Sequence, residues 1–326
     1  MDGARAWFNE VIIVHVTSAG RAVLPCVLPR PLEPGDVVSV VAPSSPFVRD
    51  DLWPGLGWLR TRYRLRMSSG VLARDGFLAG DDARRRVELA RAMTDDEVKA
   101  VFVARGGYGA TRIVADLPWA DLERRPKWIV GFSDATALHA AAWGVGVASV
   151  HGPNVTTLRA SSPATRAALL ASLERPRTAR VWRGLRVVRG GTAAGPAVGG
   201  NLTILQAMAA AGHLRLPRGA VVFLEDVAER PYRVDRMLTS LVAGGYFENA
   251  AAVVFGTFER CDAGPDGRSV DDVLYACTAK LAIPVVAGAP FGHGTLNDAF
   301  VLGRDARVHG AQVVFEGDGD RASAAG

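Results

Sequence analysis

Apolar residues along this chain fall into short runs, each closed by a turn signal, with helical patterns between them. Residues 37–42 (VVSVVA) form the first run and stop at Pro43. A run apolar on both faces predicts a strand buried inside a parallel sheet. The same pattern predicts strands at 99–104, 128–131 and 147–150. Helical spacing lies between them, over 83–93 and 135–143. The first of these helices opens at Asp81 or Asp82, and its arginines read as an outer face. A further helix is expected over 163–173, with Ser161 or Ser162 as its N-cap. In the second half, strands at 221–224, 251–255 and 284–287 alternate with helices at 232–242 and 270–281. Residues 300–315 read as β-hairpins. The alternation predicts an α/β fold: an N-terminal open, mostly parallel sheet flanked by helices, then a mixed α/β C-terminal domain rich in β-hairpins.

The pattern divides the chain as follows. Residues 1–35 look unlike the rest, with Pro25, Pro29, Pro31 and Pro34 breaking any long element, and read as an extension of unknown role. Residues 36–185 form the first α/β domain, 186–200 a Gly-rich linker, and 201–326 the C-terminal domain. In open α/β sheets, ligands bind beyond the carboxyl ends of the strands. Those ends carry Ser44-Ser45, Arg105-Gly106-Gly107, Ser133-Asp134, His151-Gly152, Glu225-Asp226 and Gly292-His293. Small and reactive residues therefore gather at one edge of the fold.

Composition narrows the classes. The 326 residues are 49% hydrophobic and 22% charged, enough apolar surface to offset the ordering entropy and so to exclude a disordered chain. Lysine and arginine number 38 against 33 acids, a net charge of +5, but no basic stripe interleaved with aromatics appears, so nucleic acid is not an expected partner. No apolar run approaches the ~18 residues that span a bilayer, and the N-terminus lacks the pattern of a secretory signal. A cytoplasmic protein without membrane contact is expected. Cys26, Cys261 and Cys277 have neither disulfide nor zinc spacing.

Candidate chemistry centres on residues 129–136 (IVGFSDAT), where a strand delivers Ser133 straight into a helix. Such a turn exposes the hydroxyl next to helix N-terminal N–H groups. Ser133 or Asp134 could equally serve only as the helix cap. A serine nucleophile needs a base and an acid that orients it. Of six histidines, His151 and His293 read as loop residues following strands, and His293 has glycines on both sides. Glu225 ends the run 221–224, where a carboxylate is costly unless paired. Its partner could be Arg230, Arg233, Arg236 or His293. Residues 105–109 (RGGYG) lack dinucleotide and P-loop spacing, but the Gly-Gly backbone could present N–H groups to an oxyanion. No metal-ligand pattern and no cofactor motif is present, so neither is expected.

Seven segments together resemble the LD-carboxypeptidases of the S66 serine peptidase family, in order from about residue 36 to about 315. They are 41–46 (VAPSSP), 105–109 (RGGYG), 131–134 (GFSD), 151–153 (HGP), 199–202 (GGNL), 224–236 (LEDVAERPYRVDR) and 291–293 (FGH). The resemblance implies a Ser-Glu-His triad on Ser133, Glu225 and His293, with the active site between two domains and a homodimer as the usual assembly. It implies an oxyanion hole from the backbone N–H groups of Gly107, with Gly106 beside it, and of Asp134. The implied reaction removes the terminal D-Ala of murein tetrapeptide through an acyl-enzyme, so the partner is a peptide ending in a D-amino acid. Arg105 and Arg233 are candidates for the substrate carboxylate, and Asn201 for a substrate hydrogen bond. Two alternatives stand beside this reading: a microcin C-like self-immunity peptidase of the same family, and a non-catalytic α/β protein that holds an anion on Gly106-Gly107.

Overall fold

In a computed structural model of the chain, residues 26–317 are described. Two sheets organise them. The first has six strands in the order Phe300–Leu302, Ser149–His151, Trp128–Gly131, Val98–Val103, Val37–Val41, Arg64–Arg66. Five of the six run parallel, and Phe300–Leu302 joins antiparallel to Ser149–His151. The second has eight: Arg180–Trp182, Gln312–Phe315, Asp305–His309, Thr192–Asn201, Val221–Val227, Ala252–Glu259, Val285–Ala287, Arg186–Arg189. Its middle four strands from Thr192–Asn201 to Val285–Ala287 are parallel and its margins antiparallel. The expected α/β class is therefore the observed one.

The strands form where the apolar runs lie because both of their faces are covered. Every residue of Val37–Val41 and of Trp128–Gly131 is buried. Helix Asp82–Thr94 starts on an Asp81 side chain that accepts the Arg84 N–H, and Pro163–Glu174 on a Ser162 side chain that accepts the Thr165 N–H. These are the caps the sequence indicated. Helix Arg49–Arg60 escaped the sequence reading because Pro54, Gly55 and Gly57 interrupt it. Tertiary packing of Leu52, Leu56 and Leu59 holds it in place.

Three expectations need correction. The stretch 186–200 is not a loose linker: it holds the edge strand Arg186–Arg189 and most of Thr192–Asn201, a central strand of the second sheet. Its glycines accommodate close backbone neighbours rather than flexibility; a Cβ on Gly199 would lie 2.0 Å from the Phe223 carbonyl oxygen. Not all of 300–315 forms hairpins either. Asp305–His309 and Gln312–Phe315 do, but Phe300–Leu302 crosses to the first sheet. Of the extension 1–35, residues 1–25 lie outside the described residues. The remainder packs on the first sheet, with Val27 bridging Val147, Leu32 buried, and the Trp128 indole donating to the Arg30 carbonyl at 2.9 Å.

Among the described residues no helix is long and apolar enough to cross a membrane.

Candidate active site

The strand Trp128–Gly131 ends one residue before Phe132, and Ser133 opens a short 3-10 turn that leads into helix Thr136–Gly144. Ser133 has φ +64°, one of three non-glycine residues in the left-handed region among those described. That conformation costs about 1–3 kcal/mol and persists only where surroundings enforce it. Here Asn154 enforces it from the next strand's loop: its Oδ1 accepts the Phe132 N–H at 3.2 Å and its Nδ2 faces the Phe132 carbonyl at 3.5 Å. The strand-to-helix turn thus lifts the Ser133 hydroxyl into a cleft of about 710 Å³. Above it runs the Gly106-Gly107 loop. A Cβ on Gly106 would stand 2.8 Å from both Cβ and Oγ of Ser133 and 3.4 Å from the Asp134 nitrogen, so only glycine permits the approach.

His293 and Glu225 come from the second sheet's side. Glu225, fully buried near the end of Val221–Val227, accepts a hydrogen bond from His293 Nδ1 at 2.6 Å. Of the partners open to Glu225, the structure therefore selects the histidine. Gly292, at φ +113°, makes the turn that brings the imidazole in; a Cβ there would meet Thr257 Oγ1 at 2.6 Å and Glu225 Oε2 at 2.8 Å. Thr257 fixes the same loop, accepting the Gly294 N–H at 3.1 Å and donating to the Phe291 carbonyl at 3.2 Å. Burial disfavours the His293 imidazolium, but the Glu225 hydrogen bond and charge, with Asp226 behind, outweigh it and raise its pKa above the ordinary histidine value. The Phe132 ring lies 4.8 Å from the His293 ring, tying the serine turn to the histidine loop. Ser133 and His293 line the same cleft, and no hydrogen bond joins their side chains. Contacts of this kind commonly tighten only with substrate bound.

Asn201 stands in register with Glu225 on the adjacent parallel strand. Its amide nitrogen donates to Asp226 Oδ1 at 3.0 Å and to Glu225 Oε1 at 3.3 Å, while its Oδ1 caps helix Leu202–Ala210 at the Ile204 N–H. It lines the cleft, but much of its hydrogen-bonding capacity is committed to the carboxylates. Asp226 accepts from Thr203 N, Thr203 Oγ1 and its neighbour Val227 N. Burial, followed by the Glu225 charge, pushes its carboxyl up to about 6.

The other candidates divide. Arg105 lines the cleft and donates to the Pro46 carbonyl. Arg233 does not line it. This residue sits half-exposed on helix Pro231–Ala243, in an adjoining cavity with Arg236, Gln206 and Ser240 that shares Thr203 and Glu229 with the cleft. His151 is not on a loop but ends its strand, fully buried among Phe132, Phe291 and Phe300. Burial holds its pKa well below the ordinary value, and neither ring nitrogen has a hydrogen-bond partner. Sequence reasoning assigned no role to Asn154 or Thr257, since each acts on a backbone distant in sequence. It also placed Arg85 on an outer face, whereas Arg85 is fully buried.

Among the described residues no group of three or more His, Cys, Asp and Glu side chains could hold a metal ion. The arrangement brings a serine hydroxyl, an imidazole bonded to a buried carboxylate and a close-packed glycine loop to one cleft, a set of groups suited to acyl transfer.

Comparison with known proteins gives the same picture. Residues 38–152 match the LD-carboxypeptidase N-terminal domain and residues 194–308 the LD-carboxypeptidase C-terminal domain. A putative carboxypeptidase of Synechocystis is 36% identical over 291 residues, covering 86% of this chain and 94% of the relative. The murein tetrapeptide carboxypeptidase of Pseudomonas aeruginosa is 32% identical over 292 residues, covering 85% and 94%. Among solved structures, the muramoyltetrapeptide carboxypeptidase from Oxalobacter formigenes aligns with a TM-score of 0.77 at 30% identity, over 85% of this chain and 97% of that one. MccF in complex with glutamyl sulfamoyl guanosine aligns at 0.81 but only 19% identity, over 88% and 97%, a likeness of fold. With both domain matches in chain order and the Glu225–His293 pair facing the Ser133 turn, this chain belongs to the S66 family of LD-carboxypeptidases.

Proposed function

We propose that this enzyme removes the terminal D-alanine of murein tetrapeptide, cutting an L-to-D peptide bond with Ser133 as nucleophile, His293 as base and Glu225 as the acid that orients it. The observation that carries the reading is the 2.6 Å Glu225–His293 bond in one cleft with a serine held in the left-handed region. His293 Nε2 takes the Ser133 proton as Oγ attacks the scissile carbonyl carbon. The Nδ1–H, donated to Glu225, keeps Nε2 free to accept that proton and stabilises the imidazolium that results. The Gly107 and Asp134 N–H groups hold the tetrahedral oxyanion, each contributing about 2.7–4 kcal/mol. Collapse breaks the C–N bond, and His293 returns the proton to the departing D-alanine amine. Water, deprotonated by His293, then releases the shortened peptide from Ser133.

Arg105, which lines the cleft, would take the substrate's terminal carboxylate; Arg233, in the adjoining cavity, would reach only a more distant part of the peptide. The cytoplasmic setting expected from the signal and hydropathy patterns, and the homodimer that accompanies the family resemblance, belong to this same reading, and size-exclusion chromatography with light scattering tests the second. The substrate is tested with synthetic tetrapeptides ending in D-Ala or L-Ala, following free alanine by mass spectrometry. Release from the D-Ala peptide alone is expected. Equal rates on both would overturn the stereochemical assignment, and cleavage of an aminoacyl sulfamoyl nucleoside in preference to either would favour the microcin-type reading.

A further inference from the structure

One buried charge lies beside this site without a part in the mechanism above. Arg85, on helix Asp82–Thr94, is fully buried. Its Nη1 donates to the Pro43 carbonyl at 2.5 Å and to the Gly109 carbonyl at 2.8 Å, its Nε to the Gly80 carbonyl at 3.2 Å, and its Nη2 to Asp82, which Arg112 also grips. Gly109, at φ +137°, leaves the room: a Cβ there would lie 2.6 Å from Nη1. The next residue, Ala110, donates its N–H at 2.8 Å to Oδ2 of Asp134, the residue after the nucleophile. Asp134 is itself fully buried; burial pushes its carboxyl up to about 6, while the Ala110 N–H and the Arg85 charge favour the carboxylate. Ser45 closes the loop from the other side, donating its N–H to the Gly106 carbonyl at 3.2 Å and accepting the Tyr108 N–H at 3.1 Å. Gly107 therefore sits between pins on both flanks, with its own N–H lacking a protein acceptor among the described residues.

We propose that Arg85 and the Asp134 side chain are positioning residues that fix the spacing of the Gly107 and Asp134 N–H groups across Ser133. The guanidinium holds the Gly109 carbonyl, and the carboxylate holds the Ala110 N–H and belongs to the residue that presents the second donor. The glycine loop is thereby referenced directly to the serine turn. Stability alone gives weak reason to bury a guanidinium and a carboxyl here, since apolar replacements of buried charged groups are often neutral or better. A preorganised oxyanion site does give a reason, because its donors must already point where charge develops.

This inference rests on the serine-peptidase reading, and D-Ala release by the wild-type enzyme, abolished in Ser133→Ala, tests that reading separately. Arg85→Met, Arg85→Lys and Asp134→Asn are then compared on the D-Ala tetrapeptide. Losing one oxyanion donor outright costs about 10²–10³ in kcat. Misplacing one should lower kcat roughly 10–100-fold in Arg85→Met, with KM held within about threefold. Arg85→Lys should recover part of the loss, since one ammonium can still reach both the Pro43 and Gly109 carbonyls. Asp134→Asn keeps the shape but leaves only a neutral carboxamide oxygen to accept the Ala110 N–H, a bond roughly half as strong as the charge-assisted one, and should lower kcat by about fivefold or more. A peptide boronate that forms a tetrahedral adduct on Ser133 should weaken in parallel with kcat. Binding of intact tetrapeptide, measured in a Ser133→Ala background, should not change. Equal weakening of boronate and intact peptide would overturn the proposal. So would kcat within twofold of wild type in the variants that fold, and Asp134→Asn decides the matter if Arg85→Met does not fold.

Discussion

Replacing Glu225 by glutamine changes one atom type and should nearly silence the enzyme. Glu225 Oε2 accepts from His293 Nδ1 at 2.6 Å, and Oε1 accepts from the Asn201 amide at 3.3 Å. In Glu225→Gln the Asn201 NH₂ still demands an acceptor, so the new carboxamide oxygen takes the Oε1 place and its NH₂ faces Nδ1. The imidazole must then accept at Nδ1 and carry its proton on Nε2, where the serine proton needs to go. A charge-assisted bond worth about 1.5–3 kcal/mol is lost as well. Loss of the correct tautomer in a triad of this kind costs about 10⁴ in kcat, or about 5.5 kcal/mol. The pH profile provides a second reading. Burial lowers the His293 pKa and Glu225 raises it. Without the carboxylate, burial remains, and the acid limb of kcat/KM should move to lower pH. The same coupling has a stability sign: a raised imidazole pKa contributes stability below the unfolded value of about 6.5 and loses it as pH rises through the folded value. D-Ala release measured from pH 5 to 9, with circular dichroism to verify the fold, checks both claims. A kcat within tenfold of wild type, or an acid limb that stays in place or moves up, would refute the tautomer argument.

Ser133→Gly should abolish turnover and leave the thermal midpoint at or above that of wild type, since relief of about 1–3 kcal/mol of strain at φ +64° offsets the ~0.4–1 kcal/mol that glycine costs through the unfolded state; a clearly lowered midpoint contradicts the strain. Gly106→Ala, whose Cβ would fall 2.8 Å from Ser133 Oγ, should lower kcat at least about 100-fold in a protein that still folds, as read by D-Ala release and thermal melting. Prolonged EDTA should leave activity intact, because the proposed nucleophile needs only a base; loss restored by added metal would sink the serine mechanism.

The apolar runs determined the class of this fold and the chain order of its motifs. Parallel strands buried on both faces leave a signature in local sequence, and Asp81 and Ser162 announced their helices because a cap is a contact three residues long. The edge where strand ends meet was legible for the same reason, so Ser133, Glu225 and His293 could be singled out as strand-end residues. Their grouping into a triad came from the order of motifs, not from periodicity. Tertiary structure decided the rest. Whether Glu225 faced an arginine or His293 depended on a loop whose shape Gly292 sets from within and Thr257 from the neighbouring strand Ala252–Glu259. The Gly-rich stretch before Asn201 read as a linker because glycine signals flexibility locally, but here it serves backbones packed too close for a Cβ. Arg85 read as surface because helical periodicity cannot tell a face turned to water from one turned to another loop's carbonyls. In each case the missing information was a contact between residues far apart in sequence, fixed by hydrogen bonding and close packing that no local pattern encodes.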